Sequence, residues 1–294
     1  MTLLVRLVRP ALYHYPFKRG KSLITRLLRF HPGQIPEGRV VRTRPGLKVR
    51  VYADGMYTRL FLFGEYEPAH SEIYRALVRP GDVVFDIGAN FGWYTGLLAR
   101  QVGAGGKVHA FEPLPTVAAL TRETVAMNGL NDAVELANEG VGSVSGTFTV
   151  YTFTKLPHGH ASAADLGRAD AVPHECRITT LDAYVAAREI ARIDFVKVDV
   201  EGHELEVFKG ATRTLCAPEA PIVSFEINRR CLDSRGIAPA AVSGQLRACG
   251  YTHFWAVNPF GGASAVARDI GAEDCDYLAA KANRLERVRD ALSH

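Results

Sequence analysis

Cysteine, methionine and tryptophan are scarce in this chain. Its 294 residues include five cysteines, three methionines and two tryptophans, and no two cysteines have CxxC spacing. An odd number of widely spaced cysteines argues against a zinc site and against a disulfide framework. We therefore expect mostly buried, unpaired side chains at these positions. The cysteines are Cys176, Cys216, Cys231, Cys249 and Cys275.

Long apolar segments are also missing. No uninterrupted apolar run approaches the ~18 residues that span a membrane. Arg6 and Arg9 interrupt the apolar stretch at the N-terminus, which is therefore unlike a signal peptide. These absences predict a cytoplasmic protein. The hydrophobic content of 47% is sufficient for one large domain with a full core and a modest addition.

Acidic residues are almost absent from the first 50 positions. Twelve lysines and arginines occur there with a single acid, Glu37, so this segment has a net charge of +11. Since the whole chain carries +4, the remaining residues carry −7. The asymmetry predicts a basic helical appendage, residues 1–45, on an acidic body.

Aliphatic residues recur at helical spacing within this appendage. Pro10 and Pro16 are expected to divide it into two short helices. Such helices can pack on the body and expose their arginines, or they can dock on an anionic membrane surface or on a lipid-linked or phosphorylated substrate. No known nucleic-acid-binding module or aromatic-rich basic patch occurs, so a nucleic acid is not an expected partner. The aliphatic positions are Leu3, Leu4, Leu7, Val8, Leu23, Ile24, Leu27 and Leu28.

Residues 46–80 are expected to form a cap of one hairpin and one helix. A period-two pattern over 47–51 and the turn sequence Asp54-Gly55 predict a hairpin whose second strand is 57–63. A helix over 71–78 follows and completes the cap.

Beyond residue 80, strand and helix patterns alternate as in a doubly wound α/β fold. We expect a seven-stranded, mostly parallel sheet with helices on both faces over residues 81–294, closed by an antiparallel pair. Residues 146–153 alternate again and predict an inserted β element, followed by a polar loop with His158 and His160 that could cover a substrate. The seven predicted strands are 83–86, 107–112, 134–137, 195–200, 222–227, 252–257 and 277–280.

The first of these strands ends on an acid and continues through glycines into a helix, in the order Asp86, Gly88, Asn90 and Gly92. Gly88 permits a tight turn and a close backbone approach, and Asn90 can cap the following helix. Dinucleotide-binding folds place GxGxxG here, so that a pyrophosphate contacts the N–H groups of the helix. Asp86 would repel a phosphate. This position therefore favours a ligand with positive charge.

The second strand ends on Glu112, at the tip adjacent to the first strand. A carboxylate at this position can accept hydrogen bonds from both hydroxyl groups of a ribose. One acid for a cationic amino-acid group and one acid for a ribose together describe S-adenosylmethionine. This cofactor carries sulfonium and ammonium charges and no phosphate.

Four strings of residues extend this interpretation. They are DIGANFGWYT at 86–95, HAFEPLP at 109–115, TLD at 180–182 and KVDVEGHELEVFKGA at 197–211. In this order, from about residue 64 to residue 226, the chain resembles the FkbM-type S-adenosylmethionine-dependent methyltransferases. The last string is the most specific, because class I methyltransferases in general have a version of the first.

The resemblance implies a class I methyltransferase fold (Rossmann-like) with S-adenosylmethionine as its cofactor. It implies that Asp86, Gly88 and Asn90 line the methionine part of the cofactor. Glu112 would hold the ribose, and Asn138, after the third strand, would reach the adenine.

Three charges lie on one side of the fourth strand and its exit, because alternation places Lys197, Asp199 and Glu201 together. Charges on a central strand are costly to bury unless they are paired or functional, so either a salt-bridge network or a site is expected. Strands four and five should be neighbours about 4.8 Å apart, which would place Asp199 opposite Glu226. With Asn228, these two carboxylates could hold a divalent cation such as Mg²⁺.

A hydroxyl group is a poor nucleophile until it loses a proton, so a base or a metal must assist its methylation. His203 is the best base candidate by type and position, with Asp199 and Glu204 as alternatives. Lys197 and Glu226 complete the candidate catalytic set. We expect O-methylation of a sugar, in a glycolipid, a polysaccharide or a nucleotide sugar, or of a secondary metabolite. An N-methyltransferase, an NAD-dependent oxidoreductase and a non-catalytic membrane-associated protein are the alternatives.

Overall fold

The computed structural model describes residues 3–15, 17, 19–153, 161–162, 168–258, 262–266, 270 and 274–293. No helix among these residues has the length and apolar character needed to cross a membrane. The helices are α1 Leu3–Tyr13, α2 Lys21–Leu27, α3 Thr58–Phe63, α4 Pro68–Leu77, α5 Trp93–Val102, α6 Pro115–Met127, α7 Leu181–Ala187, α8 Glu204–Lys209, α9 Thr212–Cys216, α10 Arg229–Ser234, α11 Pro239–Ala248 and α12 Leu285–Leu292. The strands are β1 Arg39–Arg42, β2 Lys48–Val51, β3 Val83–Ile87, β4 Lys107–Phe111, β5 Val134–Ala137, β6 Gly140–Val141, β7 Gly146–Phe153, β8 Ala161–Ser162, β9 Ala171–Thr179, β10 Phe195–Val198, β11 Ile222–Ile227, β12 His253–Val257, β13 Ala263–Ala265 and β14 Cys275–Ala280.

The main sheet has the spatial order β13-β12-β14-β11-β10-β3-β4-β5. The five strands from β11 to β5 are parallel to one another, β14 pairs antiparallel with β11, and β12 and β14 form the predicted antiparallel pair. The predicted doubly wound α/β sheet with helices on both faces is therefore confirmed. One short strand, β13, adds to the seven predicted. It consists largely of alanine, whose β propensity is low, so the sequence pattern does not indicate it.

The chain winds outward in two directions from the centre of this sheet. β3 leads to β4 and β5 on one side, whereas β10 leads to β11 on the other. Ligands of doubly wound sheets bind beyond the carboxyl ends of the strands, where the winding reverses. The residues that follow Ile87 and Val198 should therefore flank the site.

Alternate residues of the central strands enter two separate apolar cores. Val84 and Phe195 belong to one core, and Phe85 and Val196 belong to the other. Both faces of the sheet are thus covered, as parallel sheets require. The carboxyl edge remains for polar side chains.

The inserted β element at 146–153 is confirmed. β7 pairs with β9 in a second sheet of order β6-β9-β7-β8. The insertion follows β5 and precedes α7. It contributes Phe148 and Val150 to the wall of a cavity at the carboxyl edge of the main sheet.

The hairpin of the cap differs from the prediction. β1 pairs with β2, so the second predicted strand, 57–63, is wrong, and α3 occupies most of that range. Residues 60–63 are all buried, which suits a helix enclosed by the core and not a half-exposed strand. Asp54 starts a helical turn, since its side chain accepts a hydrogen bond from the N–H group of Met56 at 2.9 Å. The predicted boundary at residue 45, between the basic appendage and the cap, falls between β1 and β2.

α1 continues through Pro10, where the sequence predicts a break. Pro10 is exposed, so the carbonyl group that loses its N–H partner can be hydrated. Pro16 lies outside the described residues.

Two of the five cysteines form a disulfide, which corrects the expectation of unpaired side chains. Cys216 ends α9 and Cys249 follows α11, and the two are bonded across a sequence separation of 33. Cysteines this distant have no local signature, so the spacing alone does not indicate the bond. The other three cysteines form no disulfide.

Replacing Cys216 with serine should lower the free energy of unfolding by about 2–4 kcal/mol, because the bond closes a long loop in the unfolded chain. Chemical denaturation of the oxidised protein measures this loss. A reductant should produce a similar loss in the wild type and none in the Cys216→Ser variant. Five reactive thiols in the denatured, unreduced protein, instead of three, would contradict the disulfide.

Candidate active site

A cavity of about 320 Å³ opens at the carboxyl ends of the parallel strands. Its size suits a small-molecule ligand. None of the described residues on its wall is a lysine or an arginine, and five are carboxylates. Such a wall attracts cations and repels phosphate. The carboxylates belong to Glu67, Glu112, Asp199, Glu201 and Glu226.

The turn after β3 brings two strand ends close together. Gly88 has a φ of +87°, and a Cβ atom at this position would lie 1.9 Å from the carbonyl oxygen of Asp199. Only glycine permits this approach. The N–H group of Gly88 donates to the carbonyl oxygen of Phe111 at 3.0 Å, which ties the turn to the end of β4. Gly88 and Asn90 both line the cavity.

The carboxylate of Glu112 is fixed at the end of β4. Its oxygens accept hydrogen bonds from the N–H groups of Asn90 and Leu114, both at 3.1 Å. Burial outweighs these bonds and raises the pKa of Glu112 to about 7. A ligand that donates further hydrogen bonds to this carboxylate would stabilise its charged form. Glu112 thus lies on the cavity wall, where the sequence predicts a ribose contact.

Asp86 lies beneath the cavity and not on its wall. The side chain is fully buried, accepts a hydrogen bond from Thr95 Oγ1 at 2.6 Å and lies 3.4 Å from Lys197 Nζ. The strand register explains this contact, because Lys197 stands opposite Asp86 in the pairing of β10 with β3. A direct contact between Asp86 and a cofactor is therefore not what this geometry provides. Asp86 acts on the site through Lys197.

Lys197 joins three parts of the site through its ammonium group. Nζ donates to the carbonyl oxygen of Gly88 at 3.2 Å and lies 3.2 Å from Asp199 Oδ2, besides its contact with Asp86. Burial favours the neutral amine, but the carboxylates of Asp199 and Asp86 outweigh it and raise the pKa of Lys197. Lys197 is not among the residues of the cavity wall. We interpret it as a positioning residue.

Three carboxylates converge at the ends of β10 and β11, and we refer to Asp199, Glu201 and Glu226 as the acidic trio. One oxygen atom of each lies within 4.8 Å of the others. Val198 is opposite Phe225, so the next residues in the same register, Asp199 and Glu226, are neighbours as predicted. Glu201 joins them because its backbone adopts a φ of +50° after the strand.

Burial and mutual repulsion favour a bound proton within the acidic trio. Burial, followed by the charges of Asp199 and Glu201, raises the pKa of Glu226 well above its ordinary range. Burial and then Asp199 raise the pKa of Glu201 as well. Glu226 Oε2 is buried and has no hydrogen-bond partner in the described part of the chain. At neutral pH the trio therefore retains a proton when no cation is bound.

Asn228 is not positioned as the predicted metal ligand. Its Oδ1 accepts a hydrogen bond from the N–H group of Cys231 at 3.3 Å and caps α10. Its Nδ2 donates to Glu201 Oε2 at 3.0 Å. Because Asn228 Oδ1 caps α10, the side chain that joins Asp199 and Glu226 is that of Glu201 and not that of Asn228. Strand alternation places Glu201 on the same side as Asp199, but it does not show that Glu201, and not Asn228, completes the trio.

His203 is held as a hydrogen-bond donor and not as the predicted base. Arg235 Nη1 donates to His203 Nδ1 at 2.9 Å. A guanidinium group only donates, so Nδ1 is the acceptor and the neutral ring carries its proton on Nε2. Burial, followed by the charge of Arg235, lowers the pKa of His203 to about 4. His203 lines the cavity, but in this tautomer it cannot take a proton from a hydroxyl group there.

Two other predicted residues hold loops in place. Asn138 Nδ2 donates to the carbonyl oxygens of Glu112 and Pro113 at 2.8 and 3.0 Å, so it fixes the loop after β4 and does not line the cavity. Glu204, the alternative base, is fully buried and accepts a hydrogen bond from the N–H group of Val200 at 3.2 Å. Both residues therefore stabilise loops of the cavity wall without lining the cavity.

The cap supplies further residues of the cavity wall, beyond those at the strand ends. Tyr66 and Glu67 line the cavity, and Glu67 Oε2 accepts a hydrogen bond from the hydroxyl group of Tyr94 at 2.5 Å. Burial raises the pKa of Glu67. Its φ of +37° is a strained conformation of the kind found at functional sites, but it is visible only in the structure. His158 and His160 lie outside the described residues.

Comparison with known proteins gives consistent matches. The family described as Methyltransferase FkbM domain matches residues 86–252. The 31-O-demethyl-FK506 methyltransferase FkbM of Streptomyces tacrolimicus is 32% identical over 159 residues, which are 45% of this chain and 60% of the relative. The hexuronic acid methyltransferase AglP of Haloferax volcanii is 32% identical over 147 residues, which are 49% of this chain and 56% of the relative. The chain thus spans somewhat more than half the length of these curated relatives.

A crystal structure of methyltransferase FkbM from Methylobacillus flagellatus superposes with a TM-score of 0.45 at 14% identity, over 76% of this chain and 52% of that chain. The family match covers more than half of the chain and includes the ends of β3, β4, β10 and β11. Four of the five wall carboxylates, Glu112, Asp199, Glu201 and Glu226, fall within it, and so do the turn at Gly88 and the loop of His203. The chain therefore belongs to the FkbM methyltransferase family.

Proposed function

We propose that the protein transfers the methyl group of S-adenosylmethionine to a hydroxyl group of a sugar or of a secondary metabolite. The observation that carries this proposal is the acidic wall, where Glu112 and the acidic trio stand at neighbouring strand ends. This wall suits sulfonium and ammonium charges and disfavours the pyrophosphate of NAD. The names of the two relatives describe acceptors of this kind, 31-O-demethyl-FK506 and a hexuronic acid.

The residues at the turn after β3 and at the end of β4 fit this cofactor. Gly88 and Asn90 would contact the methionine part, and Gly88 permits a close approach there because it lacks a Cβ atom. Glu112 would accept hydrogen bonds from the ribose, which would stabilise the charged form of a carboxyl group whose pKa is raised. Leu114 and Phe148 provide an apolar wall for a flat base. When bound, the cofactor supplies an electrophilic methyl group.

Glu201 is the residue that we propose as proton acceptor. Burial and the neighbouring carboxylates raise the pKa of Glu226 well above its ordinary range, which favours its protonated form, and Asp199 is paired with Lys197. The pKa of Glu201 is raised, and a base is most effective when its pKa lies near the working pH. The carboxylate of Glu201 would take the proton that the acceptor hydroxyl group loses on methylation.

The acidic trio is also a candidate site for a divalent cation. Carboxylate oxygens this close together are typical Mg²⁺ ligands, and a bound cation would activate the acceptor hydroxyl in place of a base. We favour the proton acceptor because the ammonium group of Lys197, 3.2 Å from Asp199, already supplies a positive charge. An amine acceptor would need less assistance from either a base or a cation.

S-Adenosylhomocysteine should bind this protein and raise its free energy of unfolding by about 2.7 kcal/mol at a hundredfold excess over the Kd. Replacing Glu112 with alanine should remove most of this stabilisation, because the ribose would lose its hydrogen-bond acceptor. Thermal denaturation with and without the ligand measures both effects.

Glu175→Ala is the matched control for this experiment. Glu175 is an exposed glutamate on β9, so its removal should leave the ligand-induced stabilisation unchanged. NADH serves as the competing ligand. Stabilisation by NADH and not by S-adenosylhomocysteine would overturn the proposed function.

A further inference from the structure

The outer face of α1 is apolar. Val5 is fully buried against the protein, whereas Leu3, Leu4 and Leu7 are 73%, 53% and 70% exposed. A surface helix of a globular domain normally has polar residues opposite its core contacts. Because α1 is apolar on both sides, its outer face is a candidate docking surface.

The segment around α2 has the same character. Leu23 and Leu27 are 49% and 72% exposed, and Phe17, which precedes the helix, is 65% exposed. Six of the nine large apolar side chains that are exposed in the described residues belong to the first 27 positions. Five of these six lie on the two helices, and Phe17 lies in the segment between them. We refer to them as the N-terminal apolar patch: Leu3, Leu4, Leu7, Phe17, Leu23 and Leu27.

Both helices contact α3. Arg9 Nε of α1 donates to the carbonyl oxygen of Phe61 at 2.7 Å, and its guanidinium group lies over the ring of that residue. Lys21 of α2 is buried, lies 5.7 Å from the centre of the Phe63 ring and forms an ion pair with Glu65. The two helices are therefore fixed parts of the fold.

Basic residues accompany the patch. Arg6, Arg26 and Arg29 are exposed on or beside the two helices, and Glu37 is the single acid among the first 50 residues. Helices that lie in a membrane interface combine leucines, which enter the acyl region, with arginines, which contact anionic headgroups. The charge and the apolar face of this segment match that combination.

A second copy of the chain is a less suitable occupant. A symmetric contact would place the same surface on both partners, so the exposed arginines would face arginines. A nucleic acid would use the charges but would leave the leucines in water. An anionic lipid surface satisfies both the apolar side chains and the charges.

We propose that α1 and α2 dock the protein on an anionic lipid surface through the N-terminal apolar patch and its arginines. The helix α2 is linked to the wall of the active-site cavity, because Glu65, the partner of Lys21, directly precedes Tyr66 and Glu67 of that wall. Docking would therefore place the lipid surface next to the element that supplies one wall of the site.

Co-sedimentation of the full-length protein with vesicles tests this proposal. The protein should bind vesicles of phosphatidylcholine mixed with phosphatidylglycerol and should not bind phosphatidylcholine alone. The bound-to-free ratio should fall about tenfold or more in Leu7→Ser/Leu27→Ser and in Arg6→Glu/Arg26→Glu. Added salt should weaken the binding, since surface charges are screened within ~8 Å at physiological ionic strength.

Val144→Ser and Arg122→Glu are the matched controls, because they remove an apolar and a basic side chain that are exposed elsewhere. Both should bind like the wild type, and unchanged thermal denaturation shows that all variants are folded. Equal binding to neutral and anionic vesicles, or full binding by both double variants, would overturn the proposal. A dimer in sedimentation velocity that the leucine variant loses, without vesicle binding by the wild type, would assign the patch to a second copy instead.

Discussion

Exchanging Glu201 for glutamine is expected to lower kcat by about 10²–10⁴-fold, the range for loss of a positioned general base. Glutamine preserves the shape of the side chain and its contact with Asn228 but cannot take the proton of the acceptor. Turnover is measured as release of S-adenosylhomocysteine with a panel of sugars, uronic acids and macrolide alcohols. The loss should appear with every acceptor that the wild type methylates.

Glu226→Gln is the informative comparison. Burial and the neighbouring carboxylates raise the pKa of Glu226 well above its ordinary range, so glutamine resembles the favoured neutral form in charge and shape, and the rate should fall much less than in Glu201→Gln. A bound Mg²⁺ would reverse this expectation, because Glu226→Gln would then remove a metal ligand and EDTA would abolish turnover. Equal damage by both variants, together with loss of activity in EDTA, would replace the proton acceptor by a cation site.

The pH dependence follows from the same groups. Burial and Asp199 raise the pKa of Glu201, so the rate should rise with pH over a range above the ~4.3 of an exposed glutamate, as the base loses its proton. Glu201→Gln should remove this rise. A wild-type rate that is independent of pH from about 5 to 8 would contradict Glu201 as the base.

Replacing Lys197 with methionine is expected to lower the free energy of unfolding by about 3–5 kcal/mol, because it leaves the carboxylate of Asp86 buried without its cation. Chemical denaturation measures the loss. The loss should be smaller in acid, where Asp86 can be protonated and no longer needs a cation, and larger at neutral pH.

A second substitution separates charge pairing from packing. Lys197→Met/Asp86→Asn should recover part of the stability, because the unpaired buried charge is gone and Thr95 can still bond to the amide. Lys209→Met is the control, since Lys209 forms a half-exposed pair with Glu206, and such pairs contribute only about 0–1 kcal/mol. A loss in Lys197→Met as small as in Lys209→Met would show that Asp86 does not depend on Lys197.

The sequence by itself determined the fold class and the edge of the sheet at which the site lies. Buried strands end on Asp86 and Glu112, and others lead to Asp199 and Glu226. The carboxyl ends of parallel strands meet at one edge, so these acids had to gather there. The need for glycine at position 88 was also predictable from the sequence, because a strand that turns directly into a helix needs a close backbone approach.

Only the tertiary structure decided which acids face the cavity and what each can do. Strand alternation gives the side of a residue but not the neighbour that binds it. Asp86 is paired with Lys197 beneath the cavity wall. Glu201, in contrast, lies beside Asp199 and Glu226 because its backbone adopts a left-handed conformation. The tautomer of His203 depends on Arg235, 32 residues away in sequence. The disulfide likewise joins segments separated by 33 residues. These properties arise from contacts between segments that are distant along the chain, and no local pattern of residues encodes them.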